Sequence, residues 1–320
     1  MQTSAIESSY QQTLIELEIQ RKDVARERIK SYVLILSGIA VGSLGFLLPD
    51  MLIYACIAGG LVLITGFYFL AKTDDKFNNY RHEFKQRVVG AALKSIDDCM
   101  ELQYDTGLSE RQFIASQLFT HRPDRYKSQD QVSGTAGKTK FSFSEVHAEY
   151  KTVTQTKNGR REQWHTILKG IVFLADFNKN FNGITVVRPK DAMAAMGAWI
   201  SEKLPVFSNA GKDIVKLENM EFSKSFVTYS TDQIEARYIL TPSMMERLCK
   251  LNDKTRDTIS LSFNGSYIFI AFPLSKDYFE PPVFKTLLDG KFLEEDLEVI
   301  RFMYGIVAEL DLNTRIWTKQ

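Results

Sequence analysis

Two long uncharged stretches near the start of the chain dominate its pattern of hydrophobic and polar positions. One runs from Ser31 to Pro49 and the other from Met51 to Ala71, and only Asp50 lies between them. Each approaches the ~20 residues that an α-helix needs to cross about 30 Å of hydrocarbon. Because lipid offers the backbone no hydrogen bonds, such a segment is stable there only as a helix. The pattern predicts two antiparallel transmembrane helices, 32–48 and 51–71.

Basic residues flank this predicted hairpin on its outer sides, and its loop contains none. Arg28 and Lys30 precede the first span, and Lys72 and Lys76 follow the second. Cytoplasmic segments beside membrane spans carry an excess of Lys and Arg. We therefore expect a multi-pass protein of the cell inner (cytoplasmic) membrane with both termini in the cytoplasm. A hairpin buried in a soluble core is the alternative, and uncharged runs of this length between basic clusters do not favour it.

Small residues within the two spans permit the helices to approach closely. Gly38, Gly42 and Gly45 lie on the first span, and Ala55 and Gly59 can face them from the second. Such small-residue contacts are used both inside hairpins and between copies of a membrane protein. The sequence leaves intramolecular packing and a dimer interface open as interpretations.

Apolar residues also recur at helical spacing on both sides of the hairpin. Before it the stripe contains Ile6, Tyr10, Leu14, Leu17 and Val24, and after it Phe77, Tyr80, Phe84, Val88, Leu93, Ile96 and Met100. These positions predict an N-terminal amphipathic helix over 1–30 and a helical stalk over 73–120. The two stripes pack on each other or on the soluble domain, and the spacing is compatible with both.

From about Lys138 the pattern changes to the two-residue period of strands. Phe141 and Phe143 alternate with serines, and the alternation then continues on the opposite parity, which predicts a β-bulge near Ser144 and Glu145. Asn-Gly pairs at 158–159 and 264–265 predict hairpin turns. Helices are predicted over Lys190–Lys203, from Thr241-Pro242 to Leu251, and over Leu293–Leu310.

These elements define the predicted fold class and its domains. We expect an α+β protein with a transmembrane hairpin over 31–72 and a cytoplasmic domain over 121–320, built from an antiparallel sheet with flanking helices. Formal charge is +1, from 40 basic and 39 acidic residues, which argues against nucleic acid as a partner. Three cysteines far apart provide neither a disulfide framework nor zinc spacing, so no metal or cofactor is predicted.

Four strings in this order resemble a bacterial family of two-pass membrane proteins catalogued as domain of unknown function 3137. They are SGTAGKTKFSFSEVHAEYK at Ser133–Lys151, ADFNKNFNG at Ala175–Gly183, DQIEARYILTPSMMERL at Asp232–Leu248 and FEPPVFKTLLD at Phe279–Asp289. The resemblance covers the anchor and nearly all of the soluble domain. It implies a bacterial membrane protein whose cytoplasmic domain has no established activity, and it transfers no catalytic residues.

One group of residues has the composition of a chemical site. Glu145, His147 and Glu149 share a strand face, because side chains alternate along a strand. Two carboxylates beside an imidazole are able to exchange protons or bind a metal, with His165 on the adjacent strand as a possible addition. The solvated face of an edge strand explains the same pattern.

A second group is the basic tip of the first hairpin, Lys157, Arg160 and Arg161. Such a tip is suited to contact anionic lipid headgroups, although an ordinary polar turn has the same composition.

The leading hypothesis is a non-enzymatic, membrane-anchored interaction or scaffold protein, whose partners are the bilayer and either a protein or further copies of the chain. The alternative is a membrane-associated enzyme, metal- or acid–base-dependent, that uses Glu145, His147 and Glu149. Copurification separates the first hypothesis from a lone monomer, and metal analysis tests the second.

Overall fold

The computed structural model describes residues 2–45, 49–156, 159–177, 179–190, 213–274, 276–289 and 291–314. The predicted helix Lys190–Lys203 lies almost wholly outside these residues, as do Lys157 and Leu48. The chain forms two compact units. The first comprises Met1–Ala92 and Phe279–Glu295, and the second comprises Leu93–Tyr278 and Asp296–Gln320.

The first unit is built on two long helices. The predicted amphipathic helix and the described part of the first span form a single continuous helix, α1 (Gln2–Leu44). A short 3-10 turn, Pro49–Met51, precedes α2 (Leu52–Phe84). Lys85–Val89 then form one π-helical segment, and α3 (Gly90–Ile96) ends the helical run. The helical stalk predicted to reach residue 120 is therefore shorter in the structure, because residues 101–103 form a strand.

The helices α1 and α2 pair antiparallel in one register over their shared length. Near the turn, a Cβ atom added to Gly45 would lie 2.8 Å from the Cβ of Ala55, and one added to Gly59 would lie 2.8 Å from the Gly38 carbonyl oxygen. The two helices of one chain thus contact each other closely at glycines, which is what the intramolecular interpretation predicts. Away from the turn, the pairing continues through the ion pairs Arg28–Asp74, Lys76–Asp23 and Arg87–Glu16. The flanking parts of the two helices thus pair with each other as far as residue 87.

A segment from late in the chain completes the first unit. Residues 279–289, which we call the strap, form no helix or strand until a 3-10 turn at Leu287–Asp289. Phe279 and Leu287 are each 1% exposed and anchor its two ends by burial. The strap corresponds to the string FEPPVFKTLLD.

Within its described residues, the second unit contains a nine-stranded antiparallel sheet in the order β1-β2-β3-β4-β9-β8-β5-β7-β6. The strands are β1 (Glu101–Gln103), β2 (Arg125–Ala136), β3 (Thr139–Thr156), β4 (Gly159–Asp176), β5 (Thr185–Pro189), β6 (Asp213–Ile214), β7 (Phe226–Ser230), β8 (Ser260–Asn264) and β9 (Tyr267–Pro273). The helices are α4 (Glu110–Ala115), α5 (Met220–Ser225), α6 (Gln233–Ile239), α7 (Pro242–Asp253) and α8 (Lys291–Glu309), whose first residues belong to the first unit. The mixed helix and antiparallel-sheet class is confirmed.

Local sequence signals explain several boundaries. Gly265 has φ +63° in the β8–β9 turn, the left-handed conformation that an Asn-Gly hairpin requires. Thr241 caps α7 by accepting a hydrogen bond from the Met244 amide at 3.2 Å, and Pro242 occupies the first turn. Both features agree with the sequence predictions.

The change of parity along β3 has a different cause from the predicted bulge. In the structure β3 alternates regularly against β4 from residue 141 to 148. Phe141 and Phe143 are buried on one face of the sheet, where Phe141 meets the ring of Tyr304 from α8. Val146 and Ala148 are buried on the other face, in a core with residues of α4. The parity change therefore needs no extra residue in β3, because both sheet faces are covered there.

A bulge does exist on the neighbouring strand. In β2, the pairing shifts between Gln129 and Val132, so that Asp130 and Gln131 together oppose Ser144. Asp130 has φ +56° and is fully buried. The extra residue therefore belongs to β2, a strand that the sequence pattern did not indicate.

Candidate functional site

The outer surface of the hairpin carries a wide apolar belt. Large apolar side chains are exposed on both helices around it: Tyr32, Val33, Leu36, Ile39, Leu44, Met51, Ile53, Tyr54, Ile57, Leu61, Ile64, Phe67, Tyr68 and Phe69. Among the described helices, the run Leu52–Ile96 is long and apolar enough to cross a membrane, and 11% of its most apolar stretch is buried. A core helix of a soluble protein would be mostly buried.

The four predicted membrane-proximal basic residues lie at the charged end of this belt. Lys30 and Lys72 are exposed. Lys76 pairs with Asp23 at 2.9 Å, so this ion pair links α2 to α1. Arg28 pairs with Asp74 at 3.3 Å, and its guanidinium lies 4.3 Å from the centre of the Phe77 ring. Lys30 pairs with Glu27 on its own helix at 3.2 Å, so three of the four have an acidic partner. We use stalk for the charged part of the helix pair, up to Lys30 on the first helix and from Lys72 onwards on the second.

A buried polar cluster lies on the stalk, where the strap meets it. Glu18 and Arg21 lie one turn apart on α1, and Arg21 donates two hydrogen bonds to the Glu18 carboxylate, each 2.8 Å. Tyr80 and Arg81 are neighbours near the end of α2, and Lys85, about one turn later, begins the π-helical segment. The side chains of Glu18 and Lys85 are 6% and 1% exposed. We call these five residues the clamp.

Each clamp residue holds part of the strap. Lys85 and Arg81 bind the same oxygen of Glu280, at 2.8 and 3.1 Å. The remaining bonds involve the strap backbone: Tyr80 donates to the Pro282 carbonyl at 3.0 Å, Arg21 donates to the Val283 carbonyl at 2.6 Å, and Glu18 accepts from the Leu287 amide at 3.0 Å. Buried charges require such partners, because an unpaired charge in this environment is costly.

The clamp shifts the acidity of its members. The hydrogen bonds from Arg21 lower the pKa of Glu18 from 4.5 to about 2, against the opposing effect of burial. Burial raises the pKa of Tyr80 well above its ordinary value, so its hydroxyl remains a donor. At neutral pH Glu18 is therefore ionised and Tyr80 keeps its proton, which suits recognition of a ligand more than proton transfer.

The predicted acid–base group lies in the second unit, where His147 and Glu149 are neighbours and Glu145 binds elsewhere. Glu145 is 9% exposed and accepts a hydrogen bond from the Tyr278 amide. The Nε2 atom of His147 lies 3.7 Å from the Glu149 carboxylate, and Arg125 lies at the same distance from that carboxylate. A shallow groove of about 480 Å³ above Glu145 and His147 is open to solvent. Each carboxylate is engaged by a neighbour, so this geometry does not favour the enzyme hypothesis.

His165 does not join this group. It pairs with Tyr150 and stacks on its ring at 4.9 Å, on the face of the sheet opposite to His147. Thr152 lies 2.9 Å from its Nε2 atom. Over the described part of the chain, no three His, Cys, Asp or Glu side chains are close enough to hold a metal ion.

The predicted lipid-contact residues lie at the end of the β3–β4 hairpin. Arg160 and Arg161 are exposed, and Arg160 pairs with Glu162 at 3.1 Å. Lys157 lies outside the described residues. Beneath the tip, the guanidinium of Arg125 lies 3.6 Å from the centre of the Trp164 ring. The lipid contact stays a prediction.

Sequence reasoning missed the clamp and the strap's role. The available signal was a set of charges inside apolar stripes: Glu18 directly follows Leu17, and Lys85 directly follows Phe84. A charge at a core-facing position requires a partner. The partner Glu280 lies far along the chain, where only its position before two prolines distinguished it.

Comparisons with known proteins agree with part of the resemblance. A family model described as "Protein of unknown function (DUF3137)" matches residues 166–312, a range that includes the strap and excludes the hairpin. No curated protein matches the chain. A solved structure, "crystal structure of the mycobacterial trehalose monomycolate transport factor A, TtfA", is similar at 12% identity and a TM-score of 0.30, over 72% of this chain and 95% of that chain.

Proposed function

We propose that this chain is a membrane-anchored interaction or scaffold protein whose helical hairpin spans the inner membrane twice, with both termini in the cytoplasm. The observation that carries the proposal is the uncharged belt of exposed apolar side chains on α1 and α2. In water such a surface would drive association. In a bilayer the same surface contacts lipid chains at little cost. Tyr32, Tyr54 and Tyr68 lie towards the ends of the belt, and tyrosine is typical of membrane interfaces.

The positions of the charged residues next to the belt support a transmembrane orientation of the hairpin. On α1 the last charged residue before the belt is Lys30, and on α2 the first one after it is Lys72. Because the helices pair in one register, the Arg28–Asp74 ion pair lies at the same level on both helices. A common boundary on two antiparallel helices is expected where both leave the same bilayer surface.

The stalk supports recruitment of a partner better than the ends of the sheet. The terminal strands β1 and β6 contain three and two residues. They offer few free backbone groups for strand addition. On the stalk, Ile15, Ile19 and Ile29 are 54%, 65% and 52% exposed. We propose that this stripe binds a protein partner or a second copy, and that Arg160 and Arg161 contact anionic lipid.

Membrane insertion is tested by extraction and by a reporter. We expect the full chain to remain with membranes after washing with alkaline carbonate, and a reporter fused after residue 320 to be active in the cytoplasm. Release by carbonate, or a reporter signal on the outer side, would refute the topology.

Partner binding is tested by copurification from mild detergent. We expect the wild-type chain to carry a stoichiometric partner or to form an oligomer, and the double variant Ile15→Ser, Ile19→Ser to lose it. The matched control is Ile234→Ser with Tyr238→Ser, a pair on α6 that is 82% and 54% exposed. A wild-type chain that purifies as a lone monomer contradicts the scaffold hypothesis.

A further inference from the structure

The clamp recognises its strap in the way that a peptide-binding site recognises a peptide. Among the polar contacts, three involve strap backbone groups and two bind one carboxylate oxygen, that of Glu280, while the Thr286 side chain also forms a hydrogen bond with Glu18. Pro281 and Pro282 follow the glutamate, in a stretch that is neither helix nor strand. Prolines hold a chain extended in advance, so that little conformational freedom is lost on binding.

The clamp discriminates by charge as well as by shape. Arg81 and Lys85 converge on Glu280, and Lys85 is almost fully buried. Lys85 begins the π-helical segment, in which its carbonyl accepts from the Gly90 amide five residues later. Such segments interrupt helices mostly at functional positions. An uncharged residue at the position of Glu280 would leave this buried lysine with weaker compensation.

Both burial and polar contacts hold the strap. Phe279, Pro281 and Leu287 are buried, whereas Phe284 and Leu288 are 59% and 57% exposed. The helices α1 and α2 also contact each other directly, through Arg28–Asp74, Lys76–Asp23 and Arg87–Glu16. We therefore expect the helix pair to persist when the strap is displaced. A strap that leaves while the helices stay paired is released locally, without global unfolding of the chain.

We propose that the clamp is a peptide-binding site for extended Glu-Pro-Pro segments, filled by the strap of the same chain and open to a competing acidic, proline-containing segment of a protein partner. The proposal deepens the proposed function by naming the class of partner segment. It does not depend on membrane insertion. A tethered segment acts at an effective concentration of about 1 mM, so the strap excludes weak competitors until its own contact is reduced.

The test uses the full chain in detergent and a synthetic peptide of the strap sequence, FEPPVFKTLLD, carrying a fluorophore. The variant Glu280→Gln weakens the internal strap and leaves the clamp unchanged. We expect this variant to bind the peptide by fluorescence anisotropy, and to bind a peptide with Gln in place of its Glu about 10-fold more weakly, since the charged hydrogen bonds are lost. The additional substitution Lys85→Met should reduce the preference, since Arg81 remains as the second partner of the carboxylate.

Hydrogen exchange provides the second measurement. In Glu280→Gln we expect the Leu287 amide to exchange about 10-fold faster, while the α1 and α2 core amides keep their wild-type rates. The control Asp289→Asn removes a charge from an exposed strap position and should change neither the exchange rate nor peptide binding. Equal binding of both peptides, no binding to Glu280→Gln, or accelerated exchange throughout the hairpin would each overturn the proposal. Carbonate extraction of the same variants reports separately on the anchor.

Discussion

The two halves of one hairpin are held together by opposite chemistry. Near the turn, α1 and α2 meet at Gly38, Gly45 and Gly59, and their outer faces are apolar. In the stalk the same two helices meet through ion pairs, a buried polar cluster and the strap. The register is shared, so backbone geometry does not explain the change. The difference follows from the surroundings proposed for each half: close glycine packing suits lipid, where burial of apolar surface gives no gain, and charged groups suit water.

The largest expected effect comes from breaking the clamp on α1. Arg21→Met leaves the Glu18 carboxylate buried without its principal partner. We expect the free energy of unfolding of the stalk to fall by about 4 kcal/mol. The measurement is hydrogen exchange of stalk amides in detergent, compared with the β4 amides of the second unit. Arg87→Met removes exposed pairs with Glu16 and Glu83 and should cost less than about 1 kcal/mol. Equal losses would mean that burial does not distinguish these two arginines.

Acid should weaken the stalk in a manner specific to Glu18. Its pKa is lowered to about 2 in the folded chain from an ordinary 4.5, so the fold stabilises the ionised form. The stabilisation is complete above the ordinary pKa and is lost as the pH falls from about 4.5 towards 2. The full loss is about 3 kcal/mol. We expect this slope in wild-type stalk exchange between pH 5 and pH 3 (roughly the range of this titration), and its absence in Glu18→Gln. The same slope in both chains would assign the titration to another carboxylate.

The smallest effect of the three is expected in the belt, where adjacent glycines provide a matched pair. A Cβ at Gly59 would lie within 3.1 Å of backbone atoms of Gly38 and Gly42, whereas one at Gly60 meets nothing within 4 Å. Gly59→Leu should separate the helices and cost about 2 kcal/mol, and Gly60→Leu should be tolerated. Thermal unfolding in detergent, followed by helical circular dichroism, compares the two. Identical melting of both variants would show that glycine contact does not hold this half together.

Local patterns predicted several of the elements, and long-range pairing decided much of the rest. Hairpin turns, the Thr241-Pro242 helix start and the helical stripes depend on neighbours a few residues apart, and the structure contains them. The parity change in β3 was misassigned because it depends on what covers each face of the sheet. Lys85 and Glu280 are 195 residues apart, so no spacing rule connects them. What the sequence offered was a lysine inside an apolar stripe, which indicates that a partner exists without identifying it.

The return of the strap to the first unit sets an order of events during synthesis. The helices α1 and α2 leave the ribosome early, whereas Glu280 is made only after the sheet of the second unit. At 5–20 residues per second, this interval is on the order of ten to forty seconds. Throughout it, Lys85 and Arg81 have no Glu280 to bind. A nascent hairpin is therefore a species with an unfilled clamp, and a chaperone that supplied an acidic, proline-containing segment would stabilise it until the strap replaced that segment.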